Sequence, residues 1–122
     1  MDQRGGETPW VIGEYVMASG HCPIRDFLAS LSGRHRDDAV ALLTLLRERG
    51  AALRLPHSKL IGTGLFELRG HQVRIFYTFR PGRRIVLLNG MIKKRDEIPR
   101  DVLKRVRRYL KEVEALENEA HG

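Results

Sequence analysis

Apolar and polar positions divide the chain into segments of two different periods. From Trp10 to Met17 the residues are β-prone and rich in Val, Ile and Tyr, which predicts a strand. Pro23 opens a short helix in which Ile24, Phe27, Leu28 and Leu31 fall at helical spacing, and Gly33 stops it. A second helix follows. Asp37 and Asp38 are placed in its first turn, where carboxylates complement the helix dipole, and Arg47 and Arg49 in its last turn before a Gly50 cap. Val40, Leu43 and Leu46, with Leu42 and Leu45, form its apolar side. A loop from about Arg54 to Gly64, carrying Pro56, Gly62 and Gly64, ends this helical hairpin.

Three strand-like segments come next. Leu65 to Arg69 is the first, and Val73 to Phe79 alternates Val73, Ile75, Tyr77 and Phe79 against Arg74, Phe76 and Thr78. Arg84 to Met91 is a near-continuous apolar run, as expected of a central strand. Pro81-Gly82 marks a tight turn, so the three strands read as an antiparallel meander. Pro99 then opens a long helix whose stripe is Val102, Leu103, Val106, Tyr109, Leu110, Val113 and Leu116. Its other face carries Lys104, Arg105, Arg107, Arg108 and Lys111. The order β-α-α-β-β-β-α predicts an α+β fold: a small, mostly antiparallel sheet packed against an N-terminal helical hairpin and a C-terminal helix. Helices are expected on one sheet face, leaving arginines of the meander on the open one.

With 122 residues, 42% hydrophobic and 30% charged, the chain has apolar material for one core. Residues 1–122 are therefore read as a single domain, with 1–9 and about 117–122 as flexible tails. The longest apolar run, Ala39 to Leu43, is far short of the roughly 20 residues that span a bilayer. No apolar signal region opens the sequence, and the one cysteine, Cys22, has no internal disulfide partner. A cytoplasmic protein that does not engage membranes is expected. Cys22 itself reads as a helix-start residue before Pro23 rather than as a nucleophile.

Charge changes the picture most. Between Arg47 and Lys111 lie 18 of the 22 basic residues and 5 of the 15 acidic ones, a net +13, whereas the remainder carries −6. Clustered cations release counterions when they meet phosphates, so this asymmetry points to a polyanionic partner. RNA cleavage without a metal needs an activated 2′-hydroxyl, cations around the scissile phosphate and a proton for the leaving 5′-oxygen. Arg69, Arg74, Lys93 and Lys94 lie on or at the ends of adjacent strands, where they can converge. Arg holds a phosphate bidentately, and Lys supplies a point charge. His57 stands near Lys59 in the Gly-rich loop, and His71 lies in the turn between the two arginines. Imidazole suits acid–base work, whereas neither histidine has the spacing of a metal site. Tyr77 reads as a base-stacking or phenol-donating residue or, on an alternating strand, as core; Glu67 reads as orienting Arg69 or Arg74 or as a plain cross-strand ion pair. No metal or cofactor is expected.

The segments LRLPHSKLIGTGLFELR, VRIFYTF and IVLLNGMIKKRDEIP, followed by the basic helix, occupy Leu53 to Lys111. In that order, and with the helical hairpin before Gly50, roughly residues 10 to 112 resemble the phage-derived, HigB-like branch of the RelE/ParE toxin superfamily. The resemblance implies a RelE-like fold and a toxin of a type II toxin–antitoxin pair. Such a toxin enters the ribosomal A site and cuts mRNA as a metal-independent endoribonuclease. Attack by the 2′-hydroxyl leaves a 2′,3′-cyclic phosphate and a free 5′-hydroxyl. Carried over by motif, Arg69 and Arg74 contact phosphates, Lys93 and Lys94 stabilise charge or move protons, and Lys59 contacts rRNA or mRNA. His57, His71, Tyr77 and Arg95 complete the expected RNA-binding set. The implied partners are the ribosome, mRNA and a cognate antitoxin of helix-turn-helix type with an acidic or disordered neutralising segment. Operator DNA is expected only through that antitoxin. Two departures stand out: Val73 replaces an aromatic residue before the arginine, and no tyrosine follows the Lys93-Lys94 pair. Alternatives are a ParE-like inhibitor of DNA gyrase that is no nuclease, and a basic nucleic-acid-binding module.

Overall fold

A computed structural model describes residues 9–121. The elements are β1 (Val11–Glu14), α1 (Pro23–Ala29), α2 (Gly33–Arg49), β2 (Ser58–Gly62), β3 (Leu65–Arg69), β4 (Val73–Arg80), β5 (Arg84–Ile92) and α3 (Arg100–His121). The five strands form one sheet in the order β1-β5-β4-β3-β2. All neighbouring pairs are antiparallel except β1 and β5, which run parallel. The expected α+β class and the meander are present. One strand more is found than the pattern predicts, because β2 lies within the segment read as a loop. It is a short edge strand with a register shift between Leu60 and Gly62, and Leu60 is 60% exposed. An edge strand that buries so little shows no clear alternation.

Both faces of the sheet are covered, which corrects the expectation of an open face. On one side α1 and α2 place Ile24, Leu42 and Leu46 against Leu68, Ile75, Tyr77 and Ile85. On the other, Val106, Tyr109 and Leu110 of α3 pack with Tyr15, Leu65, Phe76 and Leu88. The reason is already in β4 and β5: Phe76 and Leu88 alternate away from the hairpin, so a second layer is needed to keep them from water.

Helix boundaries shift in instructive ways. Cys22 is the cap residue and Pro23 the first helical residue of α1, as read. Gly33, however, opens α2 rather than stopping α1, which already ends at Ala29, where Ser30 Oγ donates to the Phe27 carbonyl at 2.6 Å. Asp37 and Asp38 consequently fall beyond the first turn of α2. Val40, assigned to its apolar side, is 59% exposed, and Ala39, Leu42 and Leu46 are the buried residues. The 1–9 tail falls outside the described residues except for Pro9. At the other end, α3 continues past Glu117, whose carboxylate meets Arg84 at 2.5 Å and Arg80 at 4.0 Å. Among the described residues, no helix is long and apolar enough to cross a membrane.

Two packing details yield measurable consequences. A Cβ on Gly90 would stand 2.4 Å from the Phe27 ring, so α1 lies directly on the β5 backbone there. Gly90→Ala is expected to destabilise the protein by about 1–3 kcal/mol in urea titrations, as overpacking does. The Tyr15 hydroxyl donates to the Glu112 carboxylate, and burial, aided by that carboxylate, pushes the phenol from 10.0 up to about 12. The folded state therefore holds this proton more tightly than the unfolded chain. That stabilisation is complete below pH 10 and is lost as pH rises toward 12. Alkaline melting curves should show this loss for the parent and a smaller one for Tyr15→Phe.

Candidate nucleic-acid interface

The β3–β4 turn gathers most of the expected site residues at one end of the sheet. Arg69 and Arg74 are direct cross-strand partners. Like charges so placed repel, and the Glu67 carboxylate resolves the conflict by pairing with both. Its Oε1 lies 3.5 Å from Arg69 Nε, and its Oε2 lies 3.5 Å from Arg74 Nε. Glu67 is 3% and Arg74 7% exposed, so two cations and one anion form a largely buried trio. The Glu67–Arg74 contact is an ion pair without hydrogen-bond geometry; neither Glu67 Oε2 nor Arg74 Nε has a hydrogen-bond partner. Arg74 Nη1 donates instead to the carbonyls of Gly70 at 2.8 Å and Val73 at 3.0 Å. Burial pulls the Arg74 guanidinium below its ordinary value, against the pull of Glu67.

Arg74 thus differs from the expectation of an arginine displayed on an open face. It is the inner member of the trio, anchored to the turn, while the Arg69 side chain is 29% exposed and is the outer one. The register explains this: Arg74 alternates with Phe76 on the side that α3 covers, and the apolar stripe of α3 does not by itself name that side.

Backbone hydrogen bonds bring further residues to the same turn. Arg69 N–H donates to the His57 carbonyl at 2.8 Å, and Lys93 N–H to the Gln72 carbonyl at 2.7 Å. On the α2 side, a depression of about 380 Å³ is lined by Asp38, Pro56, His57, Arg69, Gly70 and His71, among others. Arg69 also lines this depression at the strand end, although its side chain belongs with Glu67 and Arg74 to the sheet face that α3 covers. Lys59 is exposed on β2, in register with Glu67. Lys93 is half-buried just past β5, whereas Lys94 and Arg95 are exposed in the irregular stretch before α3.

Tyr77 does not join them. It is wholly buried on the hairpin side, stacked 5.4 Å from Phe66, with its hydroxyl against Ser58 Oγ, and burial pushes its phenol up. The expected base-stacking role does not fit a ring that solvent cannot reach; the strand's alternation put it in the core.

A residue that the sequence assigns only to a helix turn, Asp38, holds the β3–β4 turn in place. Asp38 Oδ2 accepts the His71 N–H at 2.9 Å, and a Cβ on Gly70 would come within 2.3 Å of that oxygen. Only a glycine lets the turn sit this close to α2. The two groups are 33 positions apart, so no local pattern could have paired them. Asp38→Ala is expected to speed amide exchange at His71 at least tenfold while leaving β4 amides protected, because only the clamp is lost.

Among the described residues, no group of three or more His, Cys, Asp and Glu side chains is arranged to hold a metal ion. None of the curated proteins compared with the chain matches it significantly. The family described as "Phage derived protein Gp49-like (DUF891)" matches residues 26–111, from within α1 through the basic part of α3, and so covers the whole turn-centred cluster. By that match the chain belongs to the Gp49-like family of phage-derived proteins, a RelE/ParE-like toxin family associated with toxin–antitoxin pairs.

Proposed function

We propose that the protein is a ribosome-dependent mRNA endonuclease of the HigB-like kind. The observation that carries the reading is the partly exposed Arg69, backed by the buried Glu67–Arg74 pair at the end of the sheet where His57 and His71 flank the strand. In the reaction the 2′-hydroxyl oxygen bonds to the adjacent phosphorus as its proton leaves. The phosphorus–O5′ bond breaks, and the 5′-oxygen takes up a proton. Arg69 holds the non-bridging oxygens where charge builds, and Arg74 acts behind it as a positioning residue through Glu67. Lys93 and Lys94, on the β5 side of the turn, add positive charge to the phosphate. His57 and His71 are the rim groups suited to taking and giving protons. Lys59 and Arg95 extend the cationic rim along the bound strand.

The cognate antitoxin, on this reading, presents an acidic segment to the same rim. With no open sheet face to cover, the segment adds along the free edge of β2. Cytoplasmic action follows from the ribosomal target.

End-group analysis of a transcript recovered after brief induction tests the chemistry. Fragments with a 2′,3′-cyclic phosphate and a 5′-hydroxyl are expected. Fragments with 5′-phosphates, or intact transcripts alongside arrested DNA supercoiling, would overturn the reading in favour of a hydrolytic nuclease or a gyrase inhibitor.

A further inference from the structure

Few hydrogen bonds hold Arg74, the inner cation of the trio, and one of them depends on where the β3–β4 turn sits. Arg74 Nη1 donates to the carbonyls of Val73 and Gly70, while its Nε has no hydrogen-bond partner. The Val73 carbonyl comes from the preceding residue of the same strand and moves with Arg74. The Gly70 carbonyl belongs to the turn. The place of Gly70 therefore sets where the guanidinium lies relative to Glu67, and through Glu67 relative to Arg69.

The turn has little of its own to fix it. His71 and Gln72 are exposed, so little packing holds them, and the Gly70 N–H closes the turn on the Val73 carbonyl at 2.9 Å. That bond is internal and leaves the turn free to swing as a unit. Restraint from outside comes from α2. Asp38 Oδ2 accepts the His71 N–H, and the carboxylate lies so close to Gly70 that an added Cβ would come within 2.7 Å of both its oxygens. Three residues earlier on α2, His35 Nε2 lies 2.9 Å from Gln72 Oε1, and the Gln72 carbonyl accepts the Lys93 N–H. One side of α2 thus grips two adjacent residues of the turn. Charge acts in the same direction: Asp38, like Glu67, favours the charged form of Arg74 against burial and the Arg69 charge.

We infer that Asp38 is a positioning residue for the cleavage site: through the Gly70 carbonyl it fixes the Arg74 guanidinium, and through Glu67 it fixes Arg69. What Arg69 then does to a phosphate rests on the nuclease reading above; the placing of Arg74 by Asp38 does not. Asp38 itself touches no reacting atom. Its loss lets the turn drift and the two guanidiniums with it, which lowers the rate of the chemical step and leaves ribosome binding in place.

A double-mutant cycle, read together with arginine side-chain NMR, tests the inference. In single-turnover cleavage on saturating ribosomes, Asp38→Ala should be slower than the parent by about ten- to a hundredfold. The half-saturating ribosome concentration should stay within about twofold. Asp38→Asn keeps an acceptor for the His71 N–H and should come within about fivefold of the parental rate. Asp37→Ala removes an equal charge from the exposed neighbour and should cost no more than about twofold. In an Arg74→Ala background, Asp38→Ala should slow cleavage by at most about twofold further, because both side chains act along one path. In the purified parent, Arg74 should show separate Nη resonances, which Asp38→Ala should collapse to one as the guanidinium is freed to rotate. Separate resonances in both proteins would overturn the inference, as would the full Asp38→Ala loss persisting in the Arg74→Ala background. Parental cleavage by Asp38→Ala, beside a parent that cuts translated transcripts, would sink this inference alone. Collapsed resonances in Asp38→Ala, beside a parent that leaves transcripts intact, would sink the nuclease reading alone.

Discussion

Glu67→Ala is expected to destabilise the fold by about 3–5 kcal/mol, measured by urea titration of the purified protein. The carboxylate lies between two guanidiniums, and with its loss Arg74 remains a buried cation held by the carbonyls of Gly70 and Val73, with Asp38 as the carboxylate still acting on it. Arg69 is less affected, because its partly exposed side chain can turn to water. The double variant Glu67→Leu, Arg74→Leu is the informative control. Exchanging a buried ion pair for packed apolar side chains is often neutral, so this protein should recover to within about 1 kcal/mol of the parent. It should nonetheless lack cleavage activity. A folded, inactive double variant assigns the trio to function, whereas a folded and fully active one would make it purely structural. A loss below about 1 kcal/mol for Glu67→Ala would show that the trio is more hydrated than its burial indicates.

The second large effect concerns catalysis. Arg69→Ala should slow single-turnover cleavage on saturating ribosomes by about a hundredfold, the cost of about 3 kcal/mol for a lost donor at a developing oxyanion. Arg74→Ala should be at least as harmful. It removes a cation near the site, and it also leaves Glu67 to Arg69 alone, drawing that guanidinium away from the phosphate. Arg107→Ala should fall within about threefold of the parent under the same conditions, because saturation hides binding defects and exposes chemical ones. Its deficit should emerge at low ribosome concentration and higher salt. Parental cleavage by Arg69→Ala and Arg74→Ala, with a slow Arg107→Ala, would put the reacting phosphate on α3 instead.

Much of this architecture was legible because period and burial coincide. The Val73–Phe79 alternation and the stripe from Val102 to Val113 each specify an element and its inward face, and the Cys22-Pro23 pair marks a helix start. What stayed hidden depends on which layers meet. Alternation separates Tyr77 from Arg74, but it does not say that both sides of β4 are buried, and so both residues were expected to reach RNA. A helix stripe does not name the sheet face it will cover, so α3 was not foreseen above Phe76. Ser58–Gly62 is an edge strand among glycines, where exposure erases the pattern. The Asp38–His71 clamp joins α2 to a turn through one long-range hydrogen bond, which no periodicity encodes. Within the site, the residue types and the strand ends were readable. The division of labour between an outer Arg69 and an inner Arg74 was not, because it follows from burial alone.

Whether the protein cuts RNA only while that RNA is being translated is the most direct test of the account. Primer extension on paired reporter transcripts, one with its start codon and one without, read minutes after induction, decides it. The account predicts breaks inside the reading frame of the translated transcript, none in its untranslated twin, and their disappearance in Arg69→Ala. Equal cutting of both transcripts would contradict it, as would growth arrest with both transcripts intact.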